Sequence, residues 1–480
     1  MRDTLQRSTQ ITHKTWLLLT FIIIIALISC TPAATPEAED PTATVTVTRT
    51  VTQRPTPLPE RTPTPTQLAS LEINPDDLAE IVVRFAHPWV GEPAQVFERI
   101  ALEFSLTNPW DIWVDVFSHG GQTALVDALK LNLDDDQMPG LIVAHPYQLS
   151  ALGGSFEWVD LSEFYSDPEW GMDTDAQEDI QSVFMEPFIR GDQLIALPLA
   201  PQAMVLFYNQ TWANDLGFND PPGNLNTFRT QSCEATFANW QDDRKIDGTG
   251  GWMINLDPMA IASWYYAFDG VLPQVEVPYF NNENGRDAFG YLWDIKNQGC
   301  IWFAGQPDPY AYFADRNALM YAGWMDQIPI QTNWMTAADN QDEWVVIGFP
   351  GPAGETMLVD GPGLMVTAET KEEQLAAWLF AKHLLEPTVQ AKLVQSLYSL
   401  PVRESAFDLL SDFEGDYPQW SQAAAMLDSA IALPVSDAWW GTQWILQDAL
   451  FRILQAESDD IAVILEQLDE MIDDLAGVSP

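Results

Sequence analysis

Basic residues are scarce: 21 Lys and Arg stand against 69 Asp and Glu in 480 residues, a formal net charge of −48. So acidic a surface repels phosphate backbones and anionic headgroups, which excludes nucleic acid as a partner. Cysteine is scarce too, and three in the whole chain can make neither a disulfide scaffold nor a Cys-rich zinc site. The N-terminal apolar run from Trp16 to Ile28 is short of the about 20 residues a helix needs to cross the hydrocarbon core. Gly-x-Ser-x-Gly, His-Glu-x-x-His and Walker loops are missing, and Asp243 to Gly248 fails the calcium-loop pattern at Lys245. Carboxylate pairs such as Asp134-Asp135-Asp136 or Asp242-Asp243 carry no weight as a glycosidase pair in a chain this acidic.

What is present is apolar mass. Hydrophobic residues make up 47%, with 20 Trp, 12 Tyr and 23 Phe, enough for two sizeable cores in a chain of this length. Ahead of them, Arg2, Arg7 and Lys14 precede the Trp16 to Ile28 run, which ends in Leu27-Ile28-Ser29-Cys30, the layout of an export signal. That ending resembles the lipobox of bacterial lipoproteins. It implies cleavage after residue 29 and a lipid on Cys30, which would hold the protein outside the cytoplasm on the cell membrane. From Thr31 to Gln67 the chain has 12 Thr and 8 Pro in 37 residues. Proline fixes φ and removes amide donors, so 30–78 is expected to be an extended tether, open to O-glycosylation at its threonines. With Cys30 lipidated, Cys233 and Cys300 remain, an even number in an oxidising compartment, and the expectation is that they pair.

From residue 79 the periodicity changes. Ile81 to His87 is β-rich, Phe97, Ile100, Ala101 and Phe104 recur at helical spacing, and Ile112 to Phe117 gives a second strand. After a helix around Leu125 and Leu129, Gly140 to Ala144 is a nearly all-apolar run suited to a parallel strand buried on both faces. This βαβαβ order predicts an α/β fold with a doubly wound sheet, whose ligands gather beyond the carboxyl ends of the strands. Leu194 to Pro198 and Met204 to Asn209 read as further strands. Helices are expected over Lys371 to Leu385, Thr388 to Leu397, Ser436 to Leu454 and along the Ile461, Ile464, Leu465, Leu468, Ile472 stripe.

Several stretches then resemble one family. The order of Phe85-Ala86-His87-Pro88-Trp89, Gly191-Asp192-Gln193-Leu194-Ile195-Ala196-Leu197-Pro198 and Phe207-Tyr208-Asn209-Gln210-Thr211-Trp212 is similar to that of family 1 extracellular solute-binding proteins, the maltose-binding-protein-like receptors of ABC importers. Pro221-Pro222 with Phe228, Phe313 with Ala318-Leu319-Met320, Ala376-Ala377-Trp378 with Phe380, and Leu400-Pro401-Val402-Arg403 continue the match. Leu225 replaces the family's Trp, and Met138-Pro139-Gly140 stands where many members have Pro-Asp. The resemblance implies a two-lobed periplasmic-binding-protein-like fold of type II, each lobe a sheet flanked by helices. Lobe 1 is expected over 79–203 plus 363–398 and lobe 2 over 204–362 plus 399–480. Hinge strands are expected at Gln202 to Tyr208 and near Val359 to Val366, where Gly361 and Gly363 suit a close crossing.

The implied activity is non-enzymatic: capture of a sugar or short oligosaccharide, without cofactor, by a monomer that delivers it to the permease subunits of an ABC importer. Aromatic rings stack on the apolar faces of sugars, so the expected ligand contacts are Trp89, Trp264, Tyr265, Trp324, Trp439 and Trp440. Polar contacts are expected from His119, His145, Gln202 and Asp360, Gln202 standing where maltose-binding protein has a carboxylate. His87, His119 and His145 each follow one of three successive strands. Their shared sheet edge leaves a metal or other polar solute as an alternative cargo, and a surface-tethered glycan-degrading enzyme is the alternative from another class.

Overall fold

The computed structural model describes residues 71–132, 138–150, 158–242, 244–273, 276–305, 308–433, 436–457 and 460–477. Met1–Pro65 and Thr66–Pro480 are separate units, and every described residue lies in the second. The signal, Cys30 and most of the tether therefore lie outside the described residues, as does Asp134-Asp135-Asp136. Leu78 is fully buried in the first core with Leu71 and Ile73 packed against it, so the folded part reaches back into the segment expected to be tether. Hydrophobicity explains the shift: Leu71, Ile73 and Leu78 follow the last Thr-Pro repeat, and Asn74 caps a short helical turn, Pro75–Leu78.

The first sheet has five strands. Val82–His87 (β1), Trp113–Ser118 (β2) and Leu141–Ala144 (β3) are parallel, with β1 in the middle. Strand Gly363–Val366 then pairs with β3, and Leu197–Pro198 with Gly363–Val366, both antiparallel. The reversal has a topological reason. The chain re-enters this sheet from the hinge, at the carboxyl ends of β1–β3, and must run the other way. All four residues of β3 are buried, as its unbroken apolar run requires. Helices Glu92–Thr107, Lys371–Leu384 and Pro387–Leu397 pack on the sheet through Phe97, Ile100, Trp378, Phe380 and Leu393. A Thr370–Glu373 capping box starts the second of them.

The second sheet has eight strands built around Gln202–Asn209. Seven of that strand's residues are buried, and they alternate: Met204, Leu206 and Tyr208 face one core, Ala203, Val205 and Phe207 another. Period-2 alternation with both sides apolar marks a strand covered on both faces. Strands Met320–Trp324, Trp344–Ile347 and Glu355–Asp360 pair antiparallel with it. The C-terminal helices Trp439–Gln455 and Ile461–Ala476 cover one face, and the latter's Ile461, Ile464, Leu465, Leu468 and Ile472 stripe is buried as its spacing predicts. A disulfide joins Cys233, in helix Leu225–Gln241, to Cys300, next to strand Ile301–Phe303.

Three chain segments connect the sheets side by side. Gln202 pairs with Asp360, and the amide of Leu400 donates to Pro201 O at 2.7 Å. A Cβ on Gly361 would lie 2.7 Å from Pro201 Cα, so only glycine lets these crossings touch. Tyr398, at the third crossing, holds a left-handed φ of 52° after helix Pro387–Leu397, a conformation unusual for a bulky residue.

Candidate ligand cleft

The carboxyl ends of β1–β3 face the second sheet across the crossings, and the gap between them is a cavity of about 380 Å³. From the first lobe come Gln122, His145 and Tyr147, from the crossings Gln202, Asp360, Gly361 and Pro362, and from the second lobe Asp257, Met259, Trp324, Asp326 and Gln443. A neighbouring cavity of about 330 Å³ shares Gln122, Gln202, Asp326 and Pro362 and adds Trp89 and Tyr398, so the two form one cleft.

The walls are set by short-range bonds. His145 follows β3 directly, and its Nδ1 lies 3.3 Å from Asp360 Oδ1. The Tyr147 hydroxyl donates to Asp360 Oδ2 at 3.1 Å. Burial and the Asp360 charge push the Tyr147 phenol well up, so it stays a donor. Its ring stands 4.9 Å from His145 and 6.4 Å from Trp440 and is buried in the second lobe's core, although its chain segment belongs to the first sheet. Asp257 caps helix Pro258–Ala267 by accepting from the Met259 amide at 2.8 Å, and it also accepts from Trp324 Nε1 at 3.3 Å. That bond holds the indole half-buried at the cleft wall, at the end of strand Met320–Trp324. Burial raises the Asp257 carboxyl. Asp326 accepts no bond from the described residues. Although the residue is exposed to cleft water, partial desolvation by the cleft walls and the nearby Asp257 charge lift it to about 6. Gln202 Nε2 donates to Leu397 O at 3.0 Å, leaving its buried Oε1 without a donor.

The structure thus brings Trp89, His145, Gln202, Trp324 and Asp360 to the cleft, with Trp440 against its Tyr147 wall. Trp89 stacks on Phe97, centroids 4.8 Å apart, and presents its remaining surface to the cavity. Four expected contacts, three aromatic and His119, lie elsewhere. Trp264 is packed among Phe228, Trp252, Tyr291 and Phe349, Tyr265 is buried beside Phe280, and Trp439 is 1% exposed in the same core. The physical reason is that helix Pro258–Ala267 is apolar all round and is buried from Met259 to Ala267, so its aromatics have no free face. His119 is half-buried at the end of β2 and does not line the cavity. His87 is fully buried between Phe85, Phe97 and Trp89, and burial lowers it to about 4, so it is neutral at pH 7. Among the described residues no three His, Cys, Asp or Glu side chains come together as a metal ligand set.

Tyr147, Asp257, Asp326 and Gln443 were not legible as cleft residues. Tyr147 had a usable signal, since it lies three residues beyond the carboxyl end of a parallel strand. Asp257-Pro258 also reads as a helix start, which faces a ligand only if the helix points at the cleft.

Residues 110–427, most of the folded part, match the bacterial extracellular solute-binding protein family. The chain belongs to that family. Solved solute-binding proteins share its two-lobed type II fold. The cyclic alpha-maltosyl-1,6-maltose binding protein of Arthrobacter globiformis is 16% identical with a TM-score of 0.68, covering 82% of this chain and 98% of its own. The sugar-binding protein MalE of Xanthomonas citri is 17% identical with a TM-score of 0.68, covering 83% and 98%. UgpB of Mycobacterium tuberculosis, solved with glycerophosphocholine, is 16% identical with a TM-score of 0.65, covering 82% and 98%. No curated protein matches this solute-binding protein in sequence. Among its described residues no helix is long and apolar enough to cross a membrane.

Proposed function

We propose that this solute-binding protein is a lipid-anchored receptor that captures a sugar or short oligosaccharide between its lobes and hands it to the permease subunits of an ABC importer. It binds its solute without turning it over and acts as a monomer. The lobes are 79–203 plus 363–398, extended back to Leu71, and 204–362 plus 399–480, while a lipid on Cys30 holds the tether to the membrane. The observation that carries this reading is the cleft at the crossings, where the half-buried Trp324 indole and the Trp89 ring stand beside the Asp326 carboxylate and the Gln202 side chain. Flat aromatic faces with polar groups around them suit a pyranose. The packed cores make each lobe rigid, and the three crossings are the thinnest connections, so closure about Gln202 and Gly361 is the softest motion. A ligand touching both lobes favours the closed form by its differential affinity.

Thermal-shift screening of sugars, polyols, amino acids and metals against the mature chain tests the reading, because a ligand at 100 times its Kd adds about 2.7 kcal/mol to stability. A sugar is expected to raise the melt, and Trp324→Ala to weaken its binding at least tenfold, about 1.4 kcal/mol, in calorimetry. A melt moved only by chelatable metals, or unchanged affinity in Trp324→Ala, sinks it. Mass spectrometry of the mature N-terminus checks the lipid on Cys30.

A further inference from the structure

We propose that the solute carries positive charge beside its hydroxyl groups, making it a basic amino sugar rather than a neutral or anionic one. This rests on the sugar-receptor reading and narrows it. Among the described residues no Lys or Arg lines either part of the cleft, whereas three carboxylates do: Asp257, Asp326 and Asp360. An anionic solute would therefore meet three carboxylates and no Lys or Arg to pair with.

The three carboxylates are not equally provided for. Asp360 receives the Tyr147 hydroxyl and faces His145, and Asp257 receives a backbone amide and the Trp324 indole N–H. Asp326 receives nothing from the described residues and faces the cavity. Three donors at the cleft are spent on the protein itself: Tyr147 on Asp360, Trp324 on Asp257 and Gln202 Nε2 on Leu397 O. Acceptors without a donor remain: the exposed Asp326 carboxylate and, buried beside it in the cleft lining, Gln202 Oε1 and Gln122 Oε1. A ligand satisfying them has to bring N–H or O–H donors. A hydroxyl satisfies one acceptor, but an ammonium supplies three donors and also cancels the charge that two neighbouring carboxylates leave uncompensated. Desolvation raises the carboxyls of both Asp257 and Asp326, and at Asp326 the Asp257 charge adds to it. The aromatic walls agree, since indole and phenol faces attract cations as well as sugar C–H surfaces.

Calorimetry on the mature chain at pH 7.5 tests the proposal with glucosamine, galactosamine and di-glucosamine, each beside its N-acetylated counterpart, with maltotriose, and with ethanolamine as a primary amine lacking a sugar. At least one free amine sugar should bind tenfold or more tightly than its acetylated form, and Asp326→Asn should bring that ratio to within about twofold. Circular dichroism of Asp326→Asn checks that the fold is kept, and Asp257→Asn, which can still cap its helix, should lower the ratio by a smaller factor. Acetylated sugars or maltotriose binding as tightly as the amines overturn the charge inference and leave the sugar reading standing. Ethanolamine binding with no sugar bound, or no binding by any probe, overturns the sugar reading and this inference with it.

Discussion

The two lobes solve the same problem with different means. The first lobe has a five-stranded sheet, one core and a helical return, 371–397, that comes back from the far side of the hinge to cover it. The second has eight strands, a core on each face of the long strand Gln202–Asn209, two C-terminal helices and the disulfide. Their contributions to the cleft differ in kind. The first presents the rings of Trp89, His145 and Tyr147 with Gln122 and no carboxylate, while the second presents the carboxylates Asp257 and Asp326 around Trp324. One lobe thus offers shape and the other charge, and neither makes the site alone.

Deleting a core ring should have the largest effect on this contrast. Trp264→Ala removes an indole packed against four aromatic rings and is expected to cost about 3–5 kcal/mol, lowering the second lobe's transition while leaving the first's in place. Differential scanning calorimetry resolves the two; equal shifts of both transitions would show that the lobes unfold as one unit. Next comes the disulfide, whose bonded cysteines lie 67 residues apart. Cys233→Ser with Cys300→Ser should destabilise by up to about 4 kcal/mol in the chain-entropy account. Reduction of the wild type should reproduce that loss in the second lobe only.

The hinge ties the two together, and Gly361→Ala should cost about 1–3 kcal/mol because its Cβ meets Pro201 Cα at 2.7 Å. The strain falls on the crossing, so small-angle scattering with saturating ligand should show less compaction than in the wild type. Wild-type closure would mean that the crossings slide past each other freely. The smallest expected effect is electrostatic. Asp326 titrates near 6 in the folded state, above its unfolded value, so between about pH 4 and 6 the folded protein keeps a proton that the unfolded chain has lost. Its contribution to ligand-free stability is therefore full below pH 4 and is lost as pH rises through 6. Because the side chain is open to cleft water, the change is discounted to about 1 kcal/mol. Melting curves of Asp326→Asn and wild type should converge at pH 4 and separate by pH 7, the variant melting higher; parallel curves across that range rule it out.

Much of the architecture follows from chain-local patterns. Apolar runs of period 2, helical stripes such as Ile461 to Ile472, the Thr370–Glu373 cap and the carboxyl-end position of His145 act over a few residues, and each is legible without a partner. The need for glycine at 361 was legible as well, though which atoms crowd it was not. Which aromatics face ligand could not be read in this way. Trp324 and Trp264 are the same residue in equally apolar surroundings, yet one ends a strand at the cleft with its N–H held by Asp257 while the other is sealed under a helix. The inserted Tyr147 and the unpartnered Asp326 are likewise products of long-range placement. Periodicity records which side of an element is buried, but not what packs against it, and a ligand site is defined by the surface that folding leaves uncovered.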